Sequence, residues 1–147
     1  MNVVTPIGSL ARDVIEFTGG FKEGVEVGKV IYGGPMMGVA IPDTSLPVIK
    51  NTNAILALTE RETILPKTTA CIRCGACTNA CPFGLAPAAI AKAYASKDAE
   101  ALEELNIMTC MECGCCSFTC PANRPLTQTN KLSKEFVREA KAKEAAK

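Results

Sequence analysis

The cysteine spacing constrains this chain more than any other feature. Two copies of one pattern are present, each with three cysteines separated by two residues and a fourth after three more residues, directly before proline. A tight loop turns every third side chain inward, so three thiolates at this spacing can surround one iron–sulfur cube. The repeat therefore predicts that metal clusters organise this part of the chain. The copies are Cys71, Cys74, Cys77 and Cys81, then Cys110, Cys113, Cys116 and Cys120.

The same spacing resembles the ligand pattern of bacterial two-cluster ferredoxins. In such proteins the fourth cysteine has left its own loop and ligates the other cluster. Because the second cysteine of each triplet is present, both clusters are expected to be [4Fe-4S]. The resemblance implies a crossed pairing, in which cluster one takes Cys71, Cys74, Cys77 and Cys120 and cluster two takes Cys110, Cys113, Cys116 and Cys81.

Disulfides and structural zinc are the alternative uses of these cysteines, and both are disfavoured. Residues 1–10 have neither the basic start nor the apolar core of a signal peptide, so an oxidising compartment is not indicated. Zinc usually takes two separated cysteine pairs or a mixture with histidine, and the chain has no histidine. The ninth cysteine, Cys115, lies beside Cys116 and is expected to be a small apolar residue near a cluster.

Length and charge narrow the classes further. The cysteines occupy only the second half of 147 residues, which favours two small modules. A net charge of +1 gives no basic field for nucleic acid. No apolar run is long enough to span a bilayer. Aromatic residues make up 5%, without Trp, so a large conventional core is disfavoured and the second half is expected to be largely disordered without iron.

The first half predicts a small α+β unit. Ser9 is expected to cap a helix that uses Leu10, Val14, Ile15 and Phe17 and ends at Gly19-Gly20. A turn at Gly33-Gly34-Pro35 is expected to join two strands, and two more short strands are expected before a polar linker. The expected strands are residues 25–32, 36–41, 48–49 and 54–58.

The second half predicts helices after each cysteine motif. Residues 86–97 read as a helix with Pro87 in the first turn, and residues 98–105 read as a shorter one. From residue 129 to 147 an amphipathic helix is expected, either docked on its own domain or binding a partner. Its apolar face is expected to contain Leu132, Phe136, Val137 and Ala140.

A wider resemblance covers nearly the whole chain. Four segments followed by the cysteine motifs closely resemble the C subunit of the Rnf electron transport complex: 5–8 (TPIG), 17–21 (FTGGF), 33–38 (GGPMMG) and 53–55 (NAI). The resemblance implies an α+β fold, with a partial β-grasp domain of the soluble-ligand-binding (SLBB-like) type at 1–63, lacking its first strands. A two-[4Fe-4S] ferredoxin-type domain would follow at 64–128, then the helix at 129–147. Such C subunits also have an upstream flavin- and NADH-binding domain, so the chain is interpreted as a C-terminal piece or a truncated paralogue.

The resemblance also implies a function, which is electron transfer through two [4Fe-4S] clusters without catalytic residues. The expected setting is a complex peripheral to the cytoplasmic face of the membrane that couples ferredoxin and NAD redox chemistry to ion transport. Expected partners are the other subunits and the upstream flavin domain. Two alternatives stay open: a relay subunit of a soluble proline or cobalamin reductase system, and a structural module that the clusters stabilise.

Three details of the sequence give further expectations. Arg73 and Glu112 occupy equivalent positions with opposite charge, which predicts a higher potential for cluster one. The glycine-rich segment 33–38 is expected to form a hairpin rather than a ligand site. Five apolar neighbours are expected to shield the clusters from water: Ile72, Ala76, Phe83, Met111 and Phe118.

Overall fold

The computed structural model describes residues 1–145, which form two compact units. The first unit ends at Leu65, and the second begins at Pro66. Ala146 and Lys147, at the end of the expected C-terminal helix, lie outside the described residues.

A three-stranded antiparallel sheet forms the centre of the first unit. Its strand order is β2-β1-β3, so the β1 strand, which carries Val30 and Ile31, pairs on both sides. These two side chains are buried with Ala11 of the single helix and with Val48. The elements are α1 (Ala11–Phe17), β1 (Val27–Tyr32), β2 (Val39–Ile41) and β3 (Ile55–Thr59), followed by a 3-10 turn at Glu60–Thr63.

Two expectations for the first unit are wrong. Leu10, not Ser9, is the N-cap of α1, and no side chain caps the helix. Residues 48–49 do not form a strand, because the backbone of Val48 bonds the segment ahead of α1 instead. The Gly8 N–H donates to the Val48 carbonyl (2.8 Å), and the Val48 N–H donates to the Ser9 carbonyl (2.7 Å).

The glycine-rich segment makes the turn between β1 and β2. The Gly33 N–H donates to the Ala54 carbonyl at the start of β3, and the Gly38 N–H donates to the Gly34 carbonyl, each at 2.8 Å. A Cβ at Gly38 would lie 2.5 Å from the Gly34 carbonyl oxygen, so no larger residue fits there without movement. The hairpin interpretation of this segment is confirmed.

The second unit is helical. Two one-turn helices, α2 (Ala76–Asn79) and α5 (Cys115–Phe118), lie inside the cysteine motifs and pack against each other. Three longer helices pack together beside them, and Lys97 lies over the Tyr94 ring at 3.7 Å. These are α3 (Pro87–Ala95), α4 (Ala99–Glu104) and α6 (Leu126–Ala145), with a core of Leu85, Ile90, Ala93, Leu102, Ile107 and Val137.

Helix α6 differs from its predicted form in two respects. It begins at Leu126 rather than residue 129, directly after Pro125, which cannot donate a backbone bond. Its buried face consists of Leu126, Asn130, Ser133 and Val137, whereas Leu132 is exposed. Two polar residues therefore face inward on a helix whose inner face was expected to be apolar. The helix docks on its own unit, as one of the two interpretations predicted.

Candidate metal centres

The eight motif cysteines surround two cavities of the second unit. We call them the first and second cavities, after the motif that supplies three of the four cysteines. Each takes its fourth cysteine from the other motif. Cys71, Cys74, Cys77 and Cys120 line the first cavity, and Cys81, Cys110, Cys113 and Cys116 line the second.

Hydrogen bonds between distant segments bring Cys120 to the first motif. The Thr69 N–H, just before Cys71, donates to the Ala122 carbonyl, just after Cys120, at 3.0 Å. The Thr68 hydroxyl donates to the Asn123 carbonyl at 3.1 Å. The residues just before the first motif are thus hydrogen-bonded to the residues just after the second motif.

Both loops use the same backbone conformations. Arg73 and Glu112 have positive φ angles of 57° and 60°. Gly75 and Gly114, which precede the one-turn helices, have φ angles of 76° and 87°. A residue other than glycine in the left-handed conformation costs free energy, and it persists only where the surrounding structure compensates for that cost. The matching conformations show that the sequence repeat is also a structural repeat.

The second cavity lies against the hydrophobic core. Cys81 and Cys110 pack on the core cluster, and Cys116 is only 8% exposed. Burial raises the pKa of the Cys116 thiol, because the thiolate is poorly solvated there. Metal binding requires the thiolate, so binding at this cysteine must release a proton.

Two side chains of α6 reach the sulfur atoms of the second cavity. Asn130 donates its Nδ2–H towards the Cys110 Sγ at 3.5 Å. The Thr127 Oγ1 lies 3.6 Å from the Cys116 Sγ, and the Ser117 hydroxyl holds the same Thr127 side chain at 2.8 Å. A ligating thiolate can only accept hydrogen bonds, so both α6 side chains are oriented as donors once metal is bound.

A lysine of α6 also holds the second loop. Lys134 Nζ donates to the Glu112 carboxylate at 2.7 Å and to the Cys110 carbonyl at 2.9 Å. Lys131 lies 4.0 Å from the other carboxylate oxygen of Glu112. The negative charge of Glu112 is therefore compensated, which removes the physical basis for predicting a higher potential at cluster one from Arg73 and Glu112 alone.

The first cavity is less enclosed. Cys71 and Cys74 are exposed, and the cavity is bordered by Ala86, which precedes α3, and by Ala88 and Ala89 of that helix. Among residues 1–145, no side chain makes a hydrogen bond to a cysteine sulfur of this cavity. The first cavity is also the larger, with a volume of about 260 Å³ against about 20 Å³ for the second.

The prediction that apolar neighbours shield the clusters is only partly right. Phe83 and Met111 line the second cavity and Ile72 lines the first, although all three are exposed on their outer sides. Ala76 and Phe118 line neither cavity, and the Phe118 side chain is 83% exposed.

The ninth cysteine is placed beside a motif cysteine. Cys115 begins α5, and a hydrogen bond with the Cys113 side chain raises the pKa of its thiol. Cys115 lines neither cavity, which agrees with its exclusion from the ligand sets.

The chemistry of the lining residues fits iron–sulfur clusters. Each cavity offers four thiols, the soft ligands that hold such clusters. Within residues 1–145, no three cysteine or carboxylate side chains are arranged to bind a single metal ion.

Comparisons with known proteins agree with this chemistry. The 4Fe-4S dicluster domain family matches residues 63–121. The C subunit of an ion-translocating oxidoreductase complex from Rhodobacter capsulatus is 46% identical over 90% of this chain and 25% of its own length. The C subunit of the proton-translocating ferredoxin:NAD(+) oxidoreductase complex from Clostridium ljungdahlii is 45% identical over 99% of this chain and 32% of its own length.

The chain is homologous to these C subunits. The resemblance drawn from the sequence motifs is thereby confirmed, and the dicluster match supports [4Fe-4S] clusters as the cofactor. The chain spans about a quarter to a third of these two relatives. None of the helices within residues 1–145 is both long and apolar enough to cross a membrane.

Sequence reasoning missed the α6 side chains at the second cavity. Thr127, Asn130 and Lys134 stand at positions i, i+3 and i+7, so helical spacing places them on one face. That regularity is visible in the sequence. It could not be used here, because the helix was expected to begin at residue 129, after Thr127, and to bury an apolar face instead of a polar one.

Proposed function

We propose that the second unit binds two [4Fe-4S] clusters with crossed ligand sets. Cluster one would take Cys71, Cys74, Cys77 and Cys120, and cluster two would take Cys110, Cys113, Cys116 and Cys81. The observation that carries this proposal is that each of the two cavities is lined by three cysteines of one motif and one of the other. This arrangement requires both motifs to fold together.

The proposed function of the two clusters is electron relay. Each cluster, when bound, would take up and release one electron at a time. The cysteines of the chain would hold the clusters, and the residues around them would exclude water and set the local charge. Leu126 lines the first cavity and the next residue, Thr127, lines the second, so both sites adjoin the start of one helix. Because consecutive residues line the two cavities, the sites lie close together, which favours electron exchange between them.

The proposed setting is an Rnf-type complex that couples ferredoxin and NAD oxidoreduction to ion transport. The names of the two relatives describe complexes that translocate ions or protons, one of them a ferredoxin:NAD(+) oxidoreductase. The proposed partners are the other subunits of a membrane redox complex and a flavin- and NADH-binding domain. The chain would lie at the cytoplasmic face as a peripheral component.

We further propose that the first unit is part of a β-grasp domain of the soluble-ligand-binding type. One helix beside a small antiparallel sheet is compatible with part of such a domain. Residues 1–63 would form this domain, 64–128 the ferredoxin-type domain and 129–147 the C-terminal helix. A longer chain with additional upstream residues should add strands to the existing sheet, as hydrogen-exchange protection would reveal.

Iron and sulfide quantitation on anaerobically reconstituted protein tests the proposal most directly. We expect about eight irons and eight sulfides per chain, and an EPR spectrum of two interacting [4Fe-4S] clusters after dithionite reduction. Stoichiometric zinc, or about four irons, would contradict two crossed clusters. Clusters that form but resist reduction by dithionite and by a low-potential flavoprotein would contradict the relay and favour a structural role.

A further inference from the structure

One face of α6 is directed at the second cysteine motif. Thr127 lies beside the Cys116 sulfur, Asn130 beside the Cys110 sulfur, and Lys134 beside the Cys110 carbonyl. Each of the three side chains is polar. A helix that only packed against the loop would be expected to use apolar residues at these positions.

The repeat supplies an internal reference for this face. Cys81-Pro82 and Cys120-Pro121 are equivalent, and Gly84 and Asn123 after them share positive φ angles of 64° and 50°. Helix α3 therefore corresponds to α6 position by position. The residues of α3 equivalent to Thr127, Asn130 and Lys134 are Ala88, Ala91 and Ala95.

The equivalent helices thus differ in the side chains that they present to their motifs. Alanine cannot donate a hydrogen bond from its side chain, and Ala88 lines the first cavity where Thr127 lines the second. The sulfur-directed hydrogen bonds are consequently confined to the second cavity among residues 1–145. A shared fold does not account for them, because α3 makes the same fold without them.

Stability alone does not account for Asn130 either. The residue is 1% exposed, and its Oδ1 atom has no hydrogen-bond partner within residues 1–145. Burying an amide oxygen without a donor costs free energy, so an apolar residue would serve packing better. What the buried amide supplies is its N–H, which is directed at the Cys110 sulfur.

We propose that Asn130 and Thr127 are positioning residues that set the reduction potential of cluster two. The inference rests on the proposed function, since it requires a cluster in the second cavity. Reduction adds one electron, whose negative charge is partly carried by the cysteine sulfurs. A donor beside a sulfur stabilises this reduced form more than the oxidised form, so it raises the potential. Cluster one has no such donors within residues 1–145 and keeps the potential that its solvent exposure and Arg73 determine.

The test is EPR-monitored redox titration of the reconstituted full chain. Asn130→Leu removes the donor while keeping the number and branching of side-chain heavy atoms, and Thr127→Val replaces the hydroxyl by a methyl group. Each variant should lower the reduction equilibrium constant of cluster two by about threefold to tenfold, where tenfold corresponds to about 59 mV for one electron. The potential of cluster one should not change. Gln128→Leu is the matched control, because Gln128 is an exposed amide on the same helix and its loss should move neither potential.

The reciprocal variant Ala88→Thr places a hydroxyl at the first cavity and should raise the potential of cluster one. Unchanged potentials in both Asn130→Leu and Thr127→Val, with full iron content, would overturn the inference while leaving the proposed function intact. Absence of clusters in the unmodified chain would overturn the proposed function itself. If Asn130→Leu binds less iron, Thr127→Val decides, because it is nearly isosteric at a partly exposed position, and a potential shift measured at full iron content is not a consequence of misfolding.

Discussion

The two cysteine-lined cavities come from one repeat, yet their surroundings differ. The second is pressed against the hydrophobic core, and α6 supplies hydrogen bonds and a lysine to its loop. The first is bordered by alanines of α3 and has exposed cysteines. The loop backbone is nearly the same in both. The difference teaches that the motif fixes the geometry of the ligands, whereas the helix that follows fixes their environment.

The largest expected effect comes from replacing the fourth cysteine of either motif by serine. Cys81→Ser should abolish cluster two and leave cluster one, and Cys120→Ser should do the reverse. The reason is that each of these cysteines lines the cavity formed mainly by the other motif. Iron content should fall by about half in each variant, and the EPR signal that remains identifies the surviving cluster. If Cys81→Ser removes cluster one alone, the crossed assignment is wrong.

Iron loss should distinguish the cavities next. A chelator or oxidant reaches exposed ligands first, so cluster one, at Cys71 and Cys74, should be lost several-fold faster than cluster two. The time course of the two EPR signals during anaerobic chelation provides the measurement. Equal rates would mean that exposure of the cysteines does not control access.

The ion pair of α6 should contribute to the stability of the second site. In the Lys134–Glu112 pair the lysine side chain is only 12% exposed, and it also bonds a carbonyl. We expect Lys134→Met to destabilise the second unit by about 1–3 kcal/mol, measured by denaturant unfolding of the holo protein.

The matched control for that variant is Lys141→Met. Lys141 pairs with Glu103 at 2.8 Å, but its side chain is 57% exposed, so its loss should cost less than about 1 kcal/mol. Similar losses in the free energy of unfolding for the two variants would show that the partly buried contact of Lys134 stabilises the unit no more than an exposed ion pair does.

The smallest expected effect is at the ninth cysteine. The equivalent residue in the first motif is Ala76, which shows that the loop does not require a thiol at this position. Cys115→Ala should therefore retain the full iron content and change the free energy of unfolding by less than about 1 kcal/mol. A loss of about four irons in this variant would make Cys115 a ligand and reopen the assignment of cluster two.

Much of the fold followed from local signals. Pro87 in the first turn marked α3 correctly, the helix expected at 98–105 contains α4, and the glycines at 33–38 marked the hairpin. The errors lie where distant backbone groups compete. Ser9 and Val48 bond each other across the chain, which replaces both the expected side-chain cap and the expected strand.

At the candidate sites, too, local sequence signals were predictive and contacts between distant residues were not. Cysteine spacing and the ferredoxin resemblance were sufficient to propose both ligand sets. The hydrogen bonds around them were not foreseen, because Asn130 meets Cys110 only through the packing of α6 on a loop far away in sequence. The pairing of Glu112 with Lys134 was not foreseen for the same reason, since Lys134 is distant in the chain and adjacent in space.

The backbone bond between Thr69 and Ala122 has a consequence for biosynthesis. It joins the chain before the first cysteine motif to the chain after the last one. The bond therefore forms only after Ala122 has left the ribosome. The second cavity has all of its cysteines once Cys116 emerges, whereas the first must wait for Cys120. During translation, the second cavity therefore receives its full set of cysteines before the first, although Thr127 and Asn130 of its wall emerge later.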